Sequence, residues 1–459
     1  MSNVARVRTV FANLRSGAPE LGCGAKESGF GGVVGGGDRN WSGRMHIRRC
    51  SPSITPSGAA MTESVISLPT PGESVFDTYD RIRSLGAVVP IALGGVSAWA
   101  AVSHRAVSEL LAADGTLFSK NSRNCPALHD GTVPAEWPMR ALTDIDHMLN
   151  MDGAEHRRLR KTIGQAFTPA RVAAMEPRIR QITDELIDGF ASETGEVDLI
   201  PAFTTPLPVR VICDLFGVEQ ADEPLIRDWV VTITSPYATG EQTAAAMGAM
   251  TVHLTGLLAE KRRNPGDDLT SALLAVDADD ELTDEELVNM LWVVITAGHE
   301  TTVYLLSNAI VALCGNPVQL DKAITGDRWR DVVEEALRYR SPLATAFIRY
   351  ALEDVTIAGV DLPAGAMVVW YGGVGRDPEH YPDATVFDID HDQRDQLAFG
   401  RGPHFCLGAP LARLESAIAL QTLFGRFPKL ELACDVSELS YGPQFITSGP
   451  QTLPVRLRP

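Results

Sequence analysis

The sequence predicts a mainly α fold with a small β region. Beyond residue 61 most segments, such as 169–191 and 327–340, place apolar residues three and four positions apart with charges between them, which is the helical period. Between residues 347 and 371 the pattern changes to β-branched runs interrupted by glycine and proline, which favours short strands in hairpins. We therefore expect a helical core with one minor sheet.

Length and composition indicate one large domain, assigned to residues 61–459, and exclude several classes of protein. The chain has 459 residues, 45% of them hydrophobic, and its formal net charge of -18 argues against a general nucleic-acid binder. Its seven cysteines are scattered without paired spacing, so we expect no disulfide framework and a cytoplasmic location. The charge-free apolar stretch 287–298 is too short to span a bilayer, so we expect no membrane anchor.

The first sixty residues differ from the rest. They contain eight Lys or Arg against three Asp or Glu, and the Gly-rich run 29–37 cannot support a packed element. We expect residues 1–60 to be a disordered extension upstream of a start at Met61. An organellar transit peptide is the alternative, since three arginines precede any acidic residue.

One long helix has clear start and stop signals. Thr283 and Glu286 form a capping-box pattern, and Gly315-Asn316-Pro317 ends the apolar run that follows. The predicted helix is about 47 Å long at 1.5 Å per residue. It is apolar nearly all round, so it should be buried, yet its centre (297–302) reads Ala-Gly-His-Glu-Thr-Thr.

The centre of this helix has two interpretations. In the structural one, the hydroxyls of Thr301 and Thr302 bond to carbonyls one turn earlier and Glu300 pairs with a base. In the functional one, the small pair Ala297 and Gly298 lets a flat group approach, while Glu300 and Thr301 move protons beside it. A mid-helix glycine costs about 1 kcal/mol relative to alanine, so a close approach would give it a purpose.

A second constellation, residues 399–408, surrounds Cys406. Its three glycines allow a tight loop, and Pro410 suits the first turn of the helix that follows. Amides and dipole at a helix start favour a thiolate, which a metal-bound sulfur requires. We interpret the other six cysteines as inert small core residues.

These motifs resemble the cytochrome P450 family. Residues 399–408 match its haem-binding pattern F-G-x-G-x-H-x-C-x-G, and 297–302 match its A-G-x-[DE]-T-T pattern. Glu335 and Arg338 match its E-x-x-R pair, a weak signal alone. The resemblance covers nearly everything from Phe76 onward and implies the fold of that family, a triangular helical prism with a long central helix and a haem buried beside it.

The resemblance also implies a site. Haem b would be held by the axial thiolate of Cys406, the metal ligand, while Glu300 and Thr301 would be the catalytic residues that relay protons to O2. The remaining predicted cofactor-binding residues comprise candidate propionate partners and residues close to the macrocycle: His156, Arg160, Arg349, His404, Ala297, Gly298, Phe399 and Gly408.

The chain departs from the family pattern in two informative places. Relatives usually have Asp-Pro-Pro-Glu-His where residues 152–156 read Asp-Gly-Ala-Glu-His. More serious is His391, which stands where an arginine would complete the network of Glu335 and Arg338. The residues leave open whether His391 or the nearby Arg394 takes that part.

The implied function is a monooxygenase that inserts one atom of O2 into a largely apolar organic substrate by hydroxylation or epoxidation. The setting implied is tailoring of a macrolide, other polyketide or peptide, or steroid oxidation. Electrons would come from NAD(P)H through ferredoxin reductase and a ferredoxin, with Arg401 and Arg413 as candidate ferredoxin contacts. The alternatives are a peroxide-driven or isomerising haem-thiolate enzyme and a non-catalytic haem sensor. The expected pocket stretches are 124–145, 293–297 and 343–347.

Overall fold

Helices carry most of the fold, as the periodicity predicts. The computed structural model describes residues 66–68, 75–135, 137, 139–235, 238–275, 282–392, 395–441 and 446–457, within the compact unit Glu63–Pro459. The prediction for residues 1–60 falls outside these ranges. The described helices, in chain order, are α1 (Val75–Arg83), α2 (His104–Ala112), α3 (Arg140–Thr143), α4 (Gly153–Gly164), α5 (Pro169–Ala174), α6 (Glu176–Phe190), α7 (Pro206–Phe216), α8 (Glu223–Thr234), α9 (Gly240–Arg263), α10 (Leu269–Leu274), α11 (Asp284–Gly315), α12 (Pro317–Gly326), α13 (Trp329–Tyr339) and α14 (Ala409–Arg426).

The strands form one main sheet and two small ones. The described strands are β1 (Ile66–Leu68), β2 (Val88–Leu93), β3 (Val96–Ala101), β4 (Phe118–Ser119), β5 (Glu196–Asp198), β6 (Thr345–Ala351), β7 (Val355–Ile357), β8 (Val360–Leu362), β9 (Met367–Tyr371), β10 (Glu431–Leu432) and β11 (Pro454–Arg456). The main sheet has the order β1-β2-β3-β9-β6-β4, and β6 pairs with β9 in antiparallel fashion with a register shift between Ala346 and Arg349. Strands β6 to β9 confirm the predicted hairpin region.

The long helix α11 confirms the predicted start and stop signals. It spans 32 residues, Thr283 and Glu286 make the reciprocal capping-box bonds, and Pro317 opens the next helix. It packs against α7, α9, α13 and α14, so it runs through the larger of the two hydrophobic clusters. The smaller cluster surrounds the main sheet.

One bent pair of helices is the only candidate for a membrane span among the described residues. No single helix among them is long and apolar enough for a membrane span, although α11 and α12 together, bent by 109°, meet that test by length and composition.

Candidate active site

The Cys406 loop is held by backbone bonds and two left-handed glycines. Gly400 has φ 71° and Gly402 has φ 75°, a region that side chains rarely allow. The N–H of Cys406 donates to the carbonyl of Phe399 at 2.9 Å, which closes the loop just before α14 begins at Ala409. The predicted tight loop and helix start are therefore present.

The pKa of the Cys406 thiol is raised, whereas the helix start alone would lower it. Burial raises the pKa of the Cys406 thiol, while the N–H groups of Gly408 and Ala409 and the charge of Arg160 act to lower it. The predicted helix-start amides reach the sulfur, but burial outweighs them in the free protein. A metal ion bound to this sulfur would deprotonate the thiol outright.

Helix α4 brings two predicted residues to this loop. His156 and Arg160 are one turn apart on α4, and the Arg160 Nη2 donates to the carbonyl of Phe405 at 2.6 Å. The ring of His156 lies against that of His404, with centroids 4.1 Å apart. Three predicted cofactor-binding residues thus meet beside Cys406.

Several buried polar atoms of this cluster have no hydrogen-bond partner. Among the described residues these include His156 Nε2, His404 Nδ1 and Asp152 Oδ1. Burial lowers the pKa of His156 to about 4, and it also lowers the pKa of His404 although Asp152 opposes this. Buried polar groups are normally paired, so these imidazoles fit an external acceptor such as a carboxylate of the haem.

The start of α4 explains the departure from the family's Asp-Pro pattern. Gly153 has φ 60°, a conformation closed to proline, whose ring fixes φ near −65°. The carboxylate of Asp152 turns instead to the β4 end, where its Oδ2 accepts from the Ser119 hydroxyl at 2.5 Å and the Lys120 N–H at 2.9 Å. Asp152 thereby ties α4 to the main sheet.

Arg349 already has an acidic partner. Its Nε and Nη2 donate to the two carboxylate oxygens of Asp114 at 2.9 and 2.7 Å, and its Nη1 donates to the carbonyl of Phe347 at 3.2 Å. The pair is buried. Its predicted role toward a propionate stays a prediction, and Asp114 is a partner that the sequence did not reveal.

The two threonines at the centre of α11 make the backbone hydrogen bonds that the structural interpretation predicts. The Thr301 hydroxyl donates to the Ala297 carbonyl at 2.7 Å, and that of Thr302 to the Gly298 carbonyl at 2.9 Å. Ala297 is nevertheless exposed in the middle of a buried helix, and Thr301 is half-buried. The Thr301 oxygen keeps lone pairs free, so both interpretations of this residue can hold together.

Gly298 has a packing reason of its own. A side-chain carbon added there would lie 2.8 Å from Cδ1 of Ile212 on α7. The space that the glycine leaves is thus occupied from the α7 side. Its predicted role in admitting a flat cofactor stays a prediction.

Glu300 has no basic partner among the residues that the structure describes, contrary to the structural interpretation. Burial raises its pKa to about 7, and a hydrogen bond with Thr447 acts in the opposite direction. A carboxyl group that titrates near neutral pH is suited to passing protons, because it can both give and take them.

The Glu335–Arg338 network is fully buried. Arg338 donates to both carboxylate oxygens of Glu335 at 2.8 and 2.6 Å and also to the carbonyls of Gly375, Ala384 and Val386. His391 Nδ1 lies 3.0 Å from Glu335 Oε1. His391 therefore occupies the place that the sequence left open, while Arg394 lies outside the described residues.

A neighbouring ion pair links α13 to the Cys406 loop. Arg413 bonds to Glu334, with Nη2 3.1 Å from Oε2, and its guanidinium lies 4.5 Å from the Phe399 ring centre. The Arg413 side chain is thus engaged in contacts within the protein. Arg401 is 49% exposed and 3.9 Å from Asp395, so it is the freer of the two candidate ferredoxin contacts.

A small cavity of about 20 Å³ touches two of the three predicted pocket stretches. Met139 and Thr143 come from the first stretch, and Thr345 and Phe347 from the third, with no residue from 293–297. The cavity is also lined by Lys120, a buried lysine that the sequence did not reveal. A lone lysine after a two-residue strand carries no motif that could have revealed it.

Comparisons with known proteins agree with this geometry. The family model described as Cytochrome P450 matches residues 329–441. The chain is 40% identical over 383 residues to Cytochrome P450 107B1 of Saccharopolyspora erythraea, covering 82% of this chain and 94% of that protein. It is 36% identical over 396 residues to 6-deoxyerythronolide B hydroxylase of the same species, covering 83% and 96%.

The solved structures show the same fold. The Streptomyces structure titled "Testerone bound CYP154C4" matches with a TM-score of 0.81 at 37% identity, covering 86% of this chain and 99% of that one. These likenesses confirm the predicted fold, and haem-thiolate ligation and monooxygenase activity come with the family. The chain accordingly belongs to the cytochrome P450 family and is one of its oxygen-incorporating monooxygenases.

Proposed function

We propose that this monooxygenase binds haem b through Cys406 and hydroxylates or epoxidises a bulky, largely apolar natural product or steroid. The observation that carries the proposal is the meeting of Arg160, His156 and His404 at the Cys406 loop, where two buried imidazole nitrogens have no hydrogen-bond partner in the described part of the chain. When bound, haem supplies O2 binding and O–O cleavage, which an axial thiolate favours. The protein orients the substrate, holds protons and excludes water.

Glu300 and Thr301 form the proposed proton relay. The Thr301 hydroxyl donates its hydrogen bond to the Ala297 carbonyl, so its oxygen is free to accept a hydrogen bond from another donor. Burial raises the pKa of Glu300 to about 7, so its carboxyl group can donate a proton to a neighbouring water. A gas sensor or electron carrier would have no use for such a pair.

Two lines of support define the substrate class. The cavity is only about 20 Å³, so its lining by Met139, Phe347 and Ile348 supports the apolar character of this region and not the size of the substrate. The relatives include enzymes named for macrolide hydroxylation and a structure titled for a bound steroid. A macrolide, another polyketide, a peptide or a steroid agrees with the apolar lining, and the relatives are what support a substrate of that size.

Electron delivery is proposed to come from NAD(P)H through a ferredoxin reductase and a ferredoxin in the cytoplasm. The exposed Arg401 lies at the start of the 3-10 turn of the Cys406 loop. An acidic ferredoxin docked there would be close to the cofactor.

The proposal is tested by turnover with isotopically labelled O2 and a ferredoxin system, on substrates chosen by a spin-state screen. One labelled oxygen atom in the product is expected, with little product from peroxide alone. Product from peroxide without O2 or electrons, or label from water, would instead support the peroxide-driven or isomerising alternative.

The relay is tested with Glu300→Gln, using Glu285→Gln as the matched control because Glu285 is exposed in the first turn of the same helix. Glu300→Gln should lower product per electron pair and slow turnover by about a hundredfold, as expected for a lost general acid. Glu285→Gln should leave both unchanged. Equal turnover in the two variants would remove Glu300 from the mechanism.

A further inference from the structure

The loop 446–449 is fastened to the segment that leads into β6. The carbonyl of Ile446 accepts a hydrogen bond from the N–H of Ala344 at 2.8 Å. The next residue, Thr447, forms an antiparallel bridge with Leu343. The loop backbone is therefore fixed beside the third predicted pocket stretch, which contains Leu343.

The same loop packs against one face of α11. Glu300, Tyr304 and Asn308 are four residues apart, so they share that face. The Asn308 side-chain amide donates to the carbonyl of Ser448 at 3.0 Å, and a carbon added at Gly449 would lie 2.0 Å from Cδ1 of Tyr304. The loop thus covers the face of α11 that carries the acid of the proposed proton relay.

Thr447 is the residue of this loop that reaches Glu300. It is 5% exposed, and its hydroxyl group hydrogen-bonds to the Glu300 carboxyl group. An ionised carboxyl group only accepts hydrogen bonds, so the hydroxyl group is the donor to the charged form. The bond therefore favours the carboxylate, whereas burial disfavours it.

In the described part of the chain, no charged group competes for the Glu300 carboxyl group. Burial raises its pKa to about 7, the Thr447 bond opposes this, and no charge contributes. Residues 446–449 and 343–345 carry no titratable side chain, and the adjacent His299 has no charge interaction with Glu300. The Thr447 hydroxyl group is therefore suited to fix the orientation of this carboxyl group.

We propose that Thr447 is a positioning residue, which holds the Glu300 carboxyl group in the orientation that delivers protons. The inference rests on the proposed function, in which Glu300 is the proton donor. The anchors at Leu343 and Asn308 give the hydroxyl group a fixed place. The acid is thus held by a residue outside its own helix, at the border of the predicted substrate pocket.

The infrared band of the protonated Glu300 carboxyl group tests this contact. The band is followed against pH in the haem-loaded protein and is assigned by its loss in Glu300→Gln. Thr447→Val removes a donor to the carboxylate, so the midpoint should rise by about one pH unit from the wild-type value of about 7. Thr447→Ser keeps the hydroxyl group and should stay close to wild type. Thr183→Val, which removes a fully buried hydroxyl group on α6, should match wild type.

Product per electron pair relates the contact to the reaction. In Thr447→Val the decline of product with rising pH should move upward together with the infrared midpoint, because the protonated acid is the donor. At low pH, where the acid is protonated in both proteins, Thr447→Val should still lower product per electron pair by about tenfold, because the carboxyl group is misplaced. In a Glu300→Gln background Thr447→Val should have no further effect.

The inference is overturned if the infrared midpoint of Thr447→Val equals that of wild type, or if its product per electron pair is unchanged. Thr447→Ser behaving like Thr447→Val would also overturn it. If Thr447→Val fails to fold, Thr447→Ala carries the same comparison. Failure of the proposed function is a separate result, because unchanged product per electron pair in Glu300→Gln would remove the relay itself, while the infrared band would still report the contact with Thr447.

Discussion

Replacing Glu335 by glutamine should destabilise the protein strongly, because it leaves a buried arginine without its counter-ion. Glu335 and Arg338 are 0% and 1% exposed, and the carboxylate accepts two bonds from Arg338 and one from the Asp388 N–H. Removing one member of a buried pair costs about 3 kcal/mol or more. The unit Glu63–Pro459 has an unfolding entropy of about 0.8 kcal/mol/K at about 2.1 cal/mol/K per residue, so Tm should fall by about 4 °C.

The matched control is Glu334→Gln, one position away on α13. Glu334 is a quarter exposed and pairs with Arg413, so its loss should cost about 1 kcal/mol or less, which lowers Tm by about 1 °C. Thermal unfolding of the haem-loaded proteins is followed by circular dichroism, together with haem content. Equal Tm values for the two variants would refute the reasoning, because it predicts that losing a buried ion pair costs more stability than losing a partly exposed one.

Three further predictions concern separate parts of the chain. Burial raises the pKa of Glu415 from 4.5 to about 8, so this carboxyl group stays protonated in the folded protein near neutral pH. The folded state is therefore less stable at pH 8 than at pH 4.5, because the unfolded chain loses this proton at a lower pH. Glu415→Gln should therefore gain Tm over wild type toward pH 8 but not near pH 5, and a constant difference would exclude this account. Arg401→Glu should slow ferredoxin-driven reduction and weaken its salt dependence without changing Tm, because Arg401 is half exposed; an unchanged reduction rate would remove it from the docking surface. Gly298→Ala should keep haem affinity, because the added carbon meets only the flexible end of Ile212, and loss of haem would instead place the cofactor against Gly298.

Features with local causes were predictable from the sequence. The bounds of α11 follow from the capping box at Thr283 and the break at Pro317, and both appear in the structure where the residues place them. The Cys406 loop likewise follows from its glycines and from the helix start at Ala409. The segment 169–191 was predicted as helix but divides into α5 and α6 around Met175, just before a proline in the first turn of α6.

Features that depend on distant residues were not predictable. Arg349 and Asp114 are 235 positions apart, and Lys120 becomes buried only when β4 pairs with β6. The sequence showed the amides that favour a Cys406 thiolate but could not show how far burial opposes them. Burial and long-range pairing are properties of the packed chain, so no local pattern reports them.

The central claim is that Cys406 ligates the haem iron as a thiolate. The most direct test is the absorption spectrum of the dithionite-reduced protein with carbon monoxide, with Cys406→His as the reference for imidazole ligation. The account predicts that wild type shows the red-shifted Soret band of a thiolate-ligated haem and that Cys406→His does not. A wild-type band at the position of the Cys406→His band would contradict it.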